Sequence, residues 1–185
     1  KKTDEEDAVH GGYWAFEYDN DLYPDVDDAA VVGLALEELE MGEAAVERAC
    51  DWIAAMQSEG GGWGAFDVDN DAEWLYNIPF CDFGAVTDPP TVDVSAHAIE
   101  LLAGKAKYAE IVSEGVAYML GEQEHDGSWF GRWGVNYIYG AGAVLPALEA
   151  LGMDMSQEPV RRAVRWIVEH QNPDGGWGES CSSYV

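Results

Sequence analysis

The segment Tyr23-Pro24-Asp25-Val26-Asp27-Asp28 sets three carboxyl groups directly ahead of the apolar run Ala29-Ala30-Val31-Val32-Gly33-Leu34-Ala35-Leu36. Carboxyls buried this close together cannot all ionise, so one is held protonated and can serve as an acid. The same residues also suit a helix start, where Asp caps the first turn and the helix dipole favours its anion. Taken alone, the residues allow both readings. The apolar run adds a direction: a helix that is apolar nearly all round is buried, and its N-terminal carboxyls then face inward.

A second group, Asp93-Val94-Ser95-Ala96-His97, opens another apolar stretch. Residues i and i+4 share a helix face, so Asp93 and His97 are expected to hydrogen-bond. A carboxylate beside His favours imidazolium, and imidazolium bonded to a neighbouring carboxylic acid strengthens that acid. A satisfied core histidine is the alternative. Aromatic residues crowd the turns: Trp14, Phe16, Tyr18, Trp63, Phe66, Trp129, Phe130, Trp133, Tyr137 and Tyr139. Many of these belong to a core; those around a cavity would offer π faces, which stabilise cations without acting as bases or nucleophiles.

Other chemistries find no support. Asp67-Val68-Asp69-Asn70-Asp71 imitates the start of an EF-hand loop, but Ala72 replaces the required Gly and Ile78 the bidentate Glu. There is no DDxxD element, phosphate-binding loop or GxSxG elbow, so no cofactor and no metal is expected. An acid cluster, a His partner and a ring of aromatics describe carbocation chemistry.

The elements that position these groups recur. Trp52-Ile53-x3-Gln57-x3-Gly61-Gly62-Trp63 is repeated as Tyr118-Met119-x3-Gln123-x3-Gly127-Ser128-Trp129. It returns as Trp166-Ile167-x3-Gln171-x3-Gly175-Gly176-Trp177. Apolar residues at helical spacing precede each Gln, and the glycines after it stop the helix. The Gln and Trp are expected to staple the scaffold. Second helices, apolar nearly all round, are expected near residues 28–40, 93–104 and 140–152. The pattern predicts an all-α chain of helical hairpins that curls into an α/α toroid with the apolar helices inside. Residues 58–92 lack helical periodicity and read as a structured loop lining a site.

Composition narrows the partners. With 36 acidic against 9 basic residues and a net charge of −27, nucleic-acid binding is excluded. Two readings of the charge stand: a solvated acidic surface, or a host with salty cytoplasm in which carboxylate repulsion is screened. Cys50, Cys81 and Cys181 form neither a disulfide framework nor a CxxC site. No apolar run is long enough to span a bilayer, and the N-terminus lacks a signal-peptide layout. The chain, which opens without Met and stops just after a Gly-rich motif, reads as an internal piece of a longer protein, a partial α/α barrel over residues 1–185.

Pro24-Asp25-Val26-Asp27-Asp28 resembles the DxDD motif of class II terpene cyclases, and the three repeats resemble the QW motifs of triterpene cyclases. Gly62-Trp63-Gly64-Ala65-Phe66-Asp67-Val68-Asp69-Asn70, Ile78-Pro79-Phe80-Cys81-Asp82-Phe83-Gly84, Val86-Thr87-Asp88-Pro89-Pro90 and Gly127-Ser128-Trp129-Phe130-Gly131-Arg132-Trp133-Gly134-Val135-Asn136-Tyr137 resemble stretches of squalene–hopene cyclases. The likeness runs from about Gly11 onward. Oxidosqualene cyclases carry DCTAE in place of DxDD, so the chain sides with enzymes that protonate an unepoxidised alkene. The resemblance implies Asp27 as proton donor, flanked by Asp25 and Asp28, and polarised by His97, which Asp93 holds. It implies that Phe16, Phe66, Trp133 and Tyr139 line the cavity, and that Phe80 and Cys81 narrow the substrate channel. It further implies squalene as substrate, hopene or hopanol as product, no cofactor, and a protein of two α/α barrels, with residues 1–185 part of the one that carries the acid and the second barrel and both ends elsewhere. The expected partners are a membrane surface, reached from the cytoplasmic side through segments outside this chain, and a second copy as a homodimer. An open piece of a toroid cannot seal a dry cavity, so this chain by itself is expected to be inactive.

Three departures bear on product: Ala29 stands where the family has Thr, Phe66 where Tyr is frequent, and Tyr13 is an extra residue in its turn. Competing readings are a class II cyclase of another polyprene, such as a C35 terpene, and a non-catalytic α/α-toroid binding module.

Overall fold

A computed structural model describes residues 12–17, 20, 22–72 and 87–184. The chain forms three helical hairpins. Inner helices α1 (Val26–Glu38), α3 (Val92–Leu102) and α5 (Tyr137–Ala150) each precede an outer helix: α2 (Glu43–Ala55), α4 (Ala109–Gly121) and α6 (Glu158–Glu169). The inner helices stand side by side, α3 between α1 and α5, and each outer helix lies behind its own inner one. This is an arc of the expected α/α toroid. A two-residue antiparallel ladder, β1 (Trp14–Ala15) with β2 (Pro24–Asp25), leads into α1. Among the described residues no helix is long and apolar enough to cross a membrane.

Each expected apolar helix exists, but burial follows position rather than composition. Central α3 is buried along almost all its length, from Val92 to Leu102. Val94, Ile99, Leu101 and Leu102 meet Val144 and Leu148 of α5 in one core. Contrary to the expectation of all-round burial, α1 buries only Val26, Ala29, Ala30 and Gly33, and leaves Val31 46% exposed. Its other side has no neighbour among the described residues. The helix also starts two residues earlier than predicted, so Asp27 falls with Asp28 in its first turn rather than ahead of it.

The Gln–Trp turns explain how successive hairpins lock. Gln57 Nε2 donates to Gly61 O in its own turn (2.8 Å) and to Ile111 O in the first turn of α4 (2.9 Å). Gln123 does the same with Gly127 O (2.9 Å) and Pro159 O of α6 (2.8 Å). One amide thus ties off a turn and satisfies a carbonyl of the next outer helix. The Trp indoles reach back in register: Trp63, Trp129 and Trp177 Nε1 donate to Ile53, Met119 and Ile167 O at 2.7, 2.8 and 2.8 Å. In the third turn, among the described residues, the Gln171 side chain bonds only Gly175 O, and Trp177 is 45% exposed where Trp63 and Trp129 are fully buried.

Close approach fixes the glycines. Gly61 and Gly127, both with positive φ, lie against the backbone of Glu114 and Arg162, where a Cβ would come within 2.7 Å of the nearest atom. Gly12 sits in the same way on Arg48 of α2, at 2.3 Å. A fourth docking turn therefore precedes the three read from the repeat, with Tyr13 where the others have Gly or Ser. Of the long connection 58–92, the described parts hold two isolated antiparallel bridges, Trp63 with Thr91 and Asn70 with Asp88.

Candidate active site

The N-terminal turns of the three inner helices meet at one rim. At α1, Asp25 is the N-cap: its Oδ1 accepts from the amides of Asp27 (2.8 Å) and Asp28 (3.1 Å). The capping reading and the acid-cluster reading thus describe the same residues. Val26 N donates to Ala65 O at 2.8 Å, which fastens this turn to the loop following Trp63.

From α3, His97 Nδ1 lies 2.5 Å from Asp27 Oδ1, both side chains partly buried. From α5, Tyr139 presents its ring edge-on to His97, with centroids 6.5 Å apart. Phe66 and Trp133, on the loops after the first two Trp residues, meet edge-to-face at 5.7 Å, and Tyr23 meets Phe66 at 5.5 Å.

The electrostatics follow from burial and crowding. Burial lifts Asp25 to about 6; the amides of Asp28 and Asp27 oppose the rise and the neighbouring charges add to it. Asp28 is also raised, by burial and then by the charge of Asp27. Burial alone would lower His97, but the hydrogen bond and charge of Asp27 outweigh it and hold the imidazole above its ordinary value. Burial, with the charge of Asp27 next, pushes Tyr139 up to about 12.

One expected contact is absent. Among the described residues, Asp93 makes no hydrogen bond to His97: its Oδ2 accepts from Trp133 N at 2.8 Å, and its buried Oδ1 has no hydrogen-bond partner. A loop amide needing an acceptor competes with the i,i+4 neighbour, and the loop passes over the helix start where Asp93 stands. Asp93 acts on His97 through its charge alone. Phe16, expected at the cavity, is 76% exposed and makes no ring contact among the described residues. Phe80 and Cys81 lie outside the described residues.

Sequence reasoning missed three positions. Asp88 is buried, and its Oδ2 accepts from the amides of Phe66 (2.6 Å) and Asp67 (2.9 Å), fixing the loop that carries Phe66. Ser95 Oγ accepts from Trp63 N at 2.9 Å. Glu179 Oε2 accepts from Asn136 N (3.0 Å) and Ile138 N (2.7 Å) at the start of α5. The Thr87-Asp88-Pro89-Pro90 segment offered a signal for the first, an acid held in a turn beside aromatic loops. Nothing in the repeat pattern marks the other two.

Residues 2–185 match the family model described as the squalene-hopene cyclase C-terminal domain. The chain is 49% identical over 183 residues to the squalene–hopene cyclase of Zymomonas mobilis, covering 94% of this chain and 28% of that protein. It is 51% identical over 180 residues to that of Alicyclobacillus acidocaldarius, again covering 94% and 28%. It therefore spans little more than a quarter of the length of these relatives. In fold it is similar to the type II terpene cyclase MstE from Scytonema, with a TM-score of 0.67 at 20% identity, covering 91% of this chain and 47% of that one.

Proposed function

The chain belongs to the squalene-hopene cyclase family, and from that premise we propose that it carries the proton-donating site of a cyclase converting squalene to hopene or hopanol. The observation that carries this reading is the 2.5 Å contact between His97 Nδ1 and Asp27 Oδ1 at the head of an inner helix. With Nδ1 protonated, His97 donates to one oxygen of Asp27 and leaves the other to hold the reacting proton. Transfer of that proton to a terminal alkene of squalene creates a tertiary cation. The carboxylate left on Asp27 is stabilised by the imidazole N–H and by the N-terminus of α1. Successive alkenes then attack the cation and move the charge along the folded chain. Loss of a proton at the end gives hopene; capture of water gives hopanol. One proton enters and one leaves, so the cascade is redox-neutral.

Asp25 and Asp28, both raised, carry less negative charge beside the donor than ordinary carboxyls would. The π faces of Phe66, Trp133 and Tyr139 stand where a nascent cation needs a partner that cannot trap it. Asp93 and Asp88 serve the site by holding the loops of Trp133 and Phe66. The proposal includes a channel narrowed by Phe80 and Cys81. It also includes attachment to the cytoplasmic face of the cell membrane and pairing of two copies, for which the support is family membership.

The test is Asp27→Asn in the full-length cyclase that contains this segment. Asn keeps the shape and an acceptor for His97 but has no proton to give, and squalene turnover is expected to fall by about a thousandfold or more. Cyclisation at the parent rate would reject the assignment, and turnover of a different polyprene in place of squalene would move the reading to that substrate.

A further inference from the structure

The first turn of α5 is poorly suited to stand alone. It reads Tyr137-Ile138-Tyr139-Gly140, the helix carries Pro146 inside it, and its N-cap residue Asn136 makes no side-chain cap. The Asn136 side chain is used elsewhere, its Nδ2 donating to Gly131 O at 3.0 Å. Aromatic, β-branched and Gly residues are weak helix formers, and Gly140 is required because a Cβ there would come within 2.3 Å of Trp129 O. The orphan amides of Asn136 and Ile138 are both taken by one oxygen of Glu179, which arrives from the loop after Trp177, more than 40 residues further along the chain. A carboxylate at this point is favoured both as a charged acceptor and by the helix dipole.

Tyr139 follows directly, its ring wedged against Gly131 and Gly134 and edge-on to His97. We propose, resting on the cyclase reading above, that Glu179 is a positioning residue for the cyclisation: it holds the first turn of α5, and with it Tyr139, against the His97–Asp27 pair. It touches neither substrate nor the acid. Its action passes through the backbone of Asn136 and Ile138.

The experiment compares Glu179→Ala and Glu179→Gln in the full-length cyclase, alone and combined with Tyr139→Ala. Glu179→Ala is expected to lower kcat for squalene about tenfold or more, with KM within about threefold of the parent. Glu179→Gln, which keeps an acceptor oxygen, recovers most of the loss. On the Tyr139→Ala background the Ala substitution at 179 adds little further, because both act through one ring. A kcat within twofold of the parent for Glu179→Ala, or effects at 179 and 139 that multiply, overturns the proposal.

Hydrogen exchange of the segment 136–140 reads the cap without reference to turnover. Exchange there is expected to quicken about fivefold in Glu179→Ala, the worth of an ordinary helix cap; unchanged exchange likewise overturns it. Should the parent enzyme form no cyclised squalene while this exchange still responds, the failure lies with the proposed reaction and not with the cap.

Discussion

Asp25 is both the cap that starts α1 and a buried carboxyl raised from 3.8 to about 6, so its charge works against the fold it caps. Replacing it by Asn separates the two roles. Asn is as good an N-cap as Asp, and its side-chain oxygen can still accept from the amides of Asp27 and Asp28. The charge is gone. In the parent, the folded chain keeps the Asp25 proton between about pH 4 and pH 6, whereas the unfolded chain has released it. Stability from this group therefore falls as pH rises through that window, and above about pH 6 the full penalty is present. A rise of about two units corresponds to roughly 3 kcal/mol for a dry group. Asp25 is itself buried, and relaxation and water entry around the charged carboxyl reduce this to roughly 1–2 kcal/mol. Asp25→Asn is thus expected to raise the thermal midpoint by about 3–6 °C at pH 8 and to leave it nearly unchanged at pH 4. Thermal unfolding followed by circular dichroism at the two pH values measures both. An equal offset at pH 4 and pH 8, or a lower midpoint for the variant at pH 8, would refute the argument that the carboxyl is retained at a cost in stability.

Two further outcomes follow from the Gln–Trp turns and from the charge. Gln123→Ala removes the bond within a turn and the bond to Pro159 O, leaving partly buried carbonyls unpaired, and should cost about 1–2 kcal/mol in urea unfolding. Gln171→Ala loses a single exposed bond and should cost under about 0.5 kcal/mol; equal losses would show that the bond between hairpins carries no weight. With a net charge of −27, raising salt from 0.1 M to 1 M shortens the screening length from about 10 Å to about 3 Å and should raise the melting midpoint by several degrees. A flat or falling midpoint would assign the acidic residues to solubility alone.

Periodicity at six fixed positions made the hairpins and their turns readable in the sequence, because a helix stop and a Trp anchor recur wherever the same local geometry recurs. What spacing does not contain is the far partner. That Gln57 reaches Ile111 and Gln123 reaches Pro159 depends on which outer helix lies alongside, a property of the assembled array. The error at Asp93 has the same origin. The i,i+4 rule brought it to the face of His97, but the unpaired amide of Trp133, 40 residues away, took its oxygen. Phe16 was assigned to the cavity by resemblance, and the described residues do not bring it there. The fourth turn at Gly12 escaped because Ala8 stands where the repeat has Gln and Tyr13 where it has a small residue, although Gly12-x-Trp14 keeps the spacing and the contact with Arg48 is kept.

The tertiary bonds that spacing missed share a rule. The loop after each Trp fastens to the start of the inner helix of its own hairpin: Ala65 O to Val26 N, Trp133 N to Asp93, and Glu179 to Asn136 and Ile138. The repeat preserves the junction while changing which side supplies the donor. This is why the loops diverge in sequence after the Trp: each must satisfy a different helix start. At α1 the junction is made by backbone atoms alone, which leaves the carboxyls of Asp25, Asp27 and Asp28 uncommitted to the loop. At α3 and α5 a carboxylate is consumed in making it. Among the described residues, the proposed acid site therefore falls at the helix start whose anchoring uses no side chain, with His97 from the second helix and Tyr139 from the third brought to it by junctions that do.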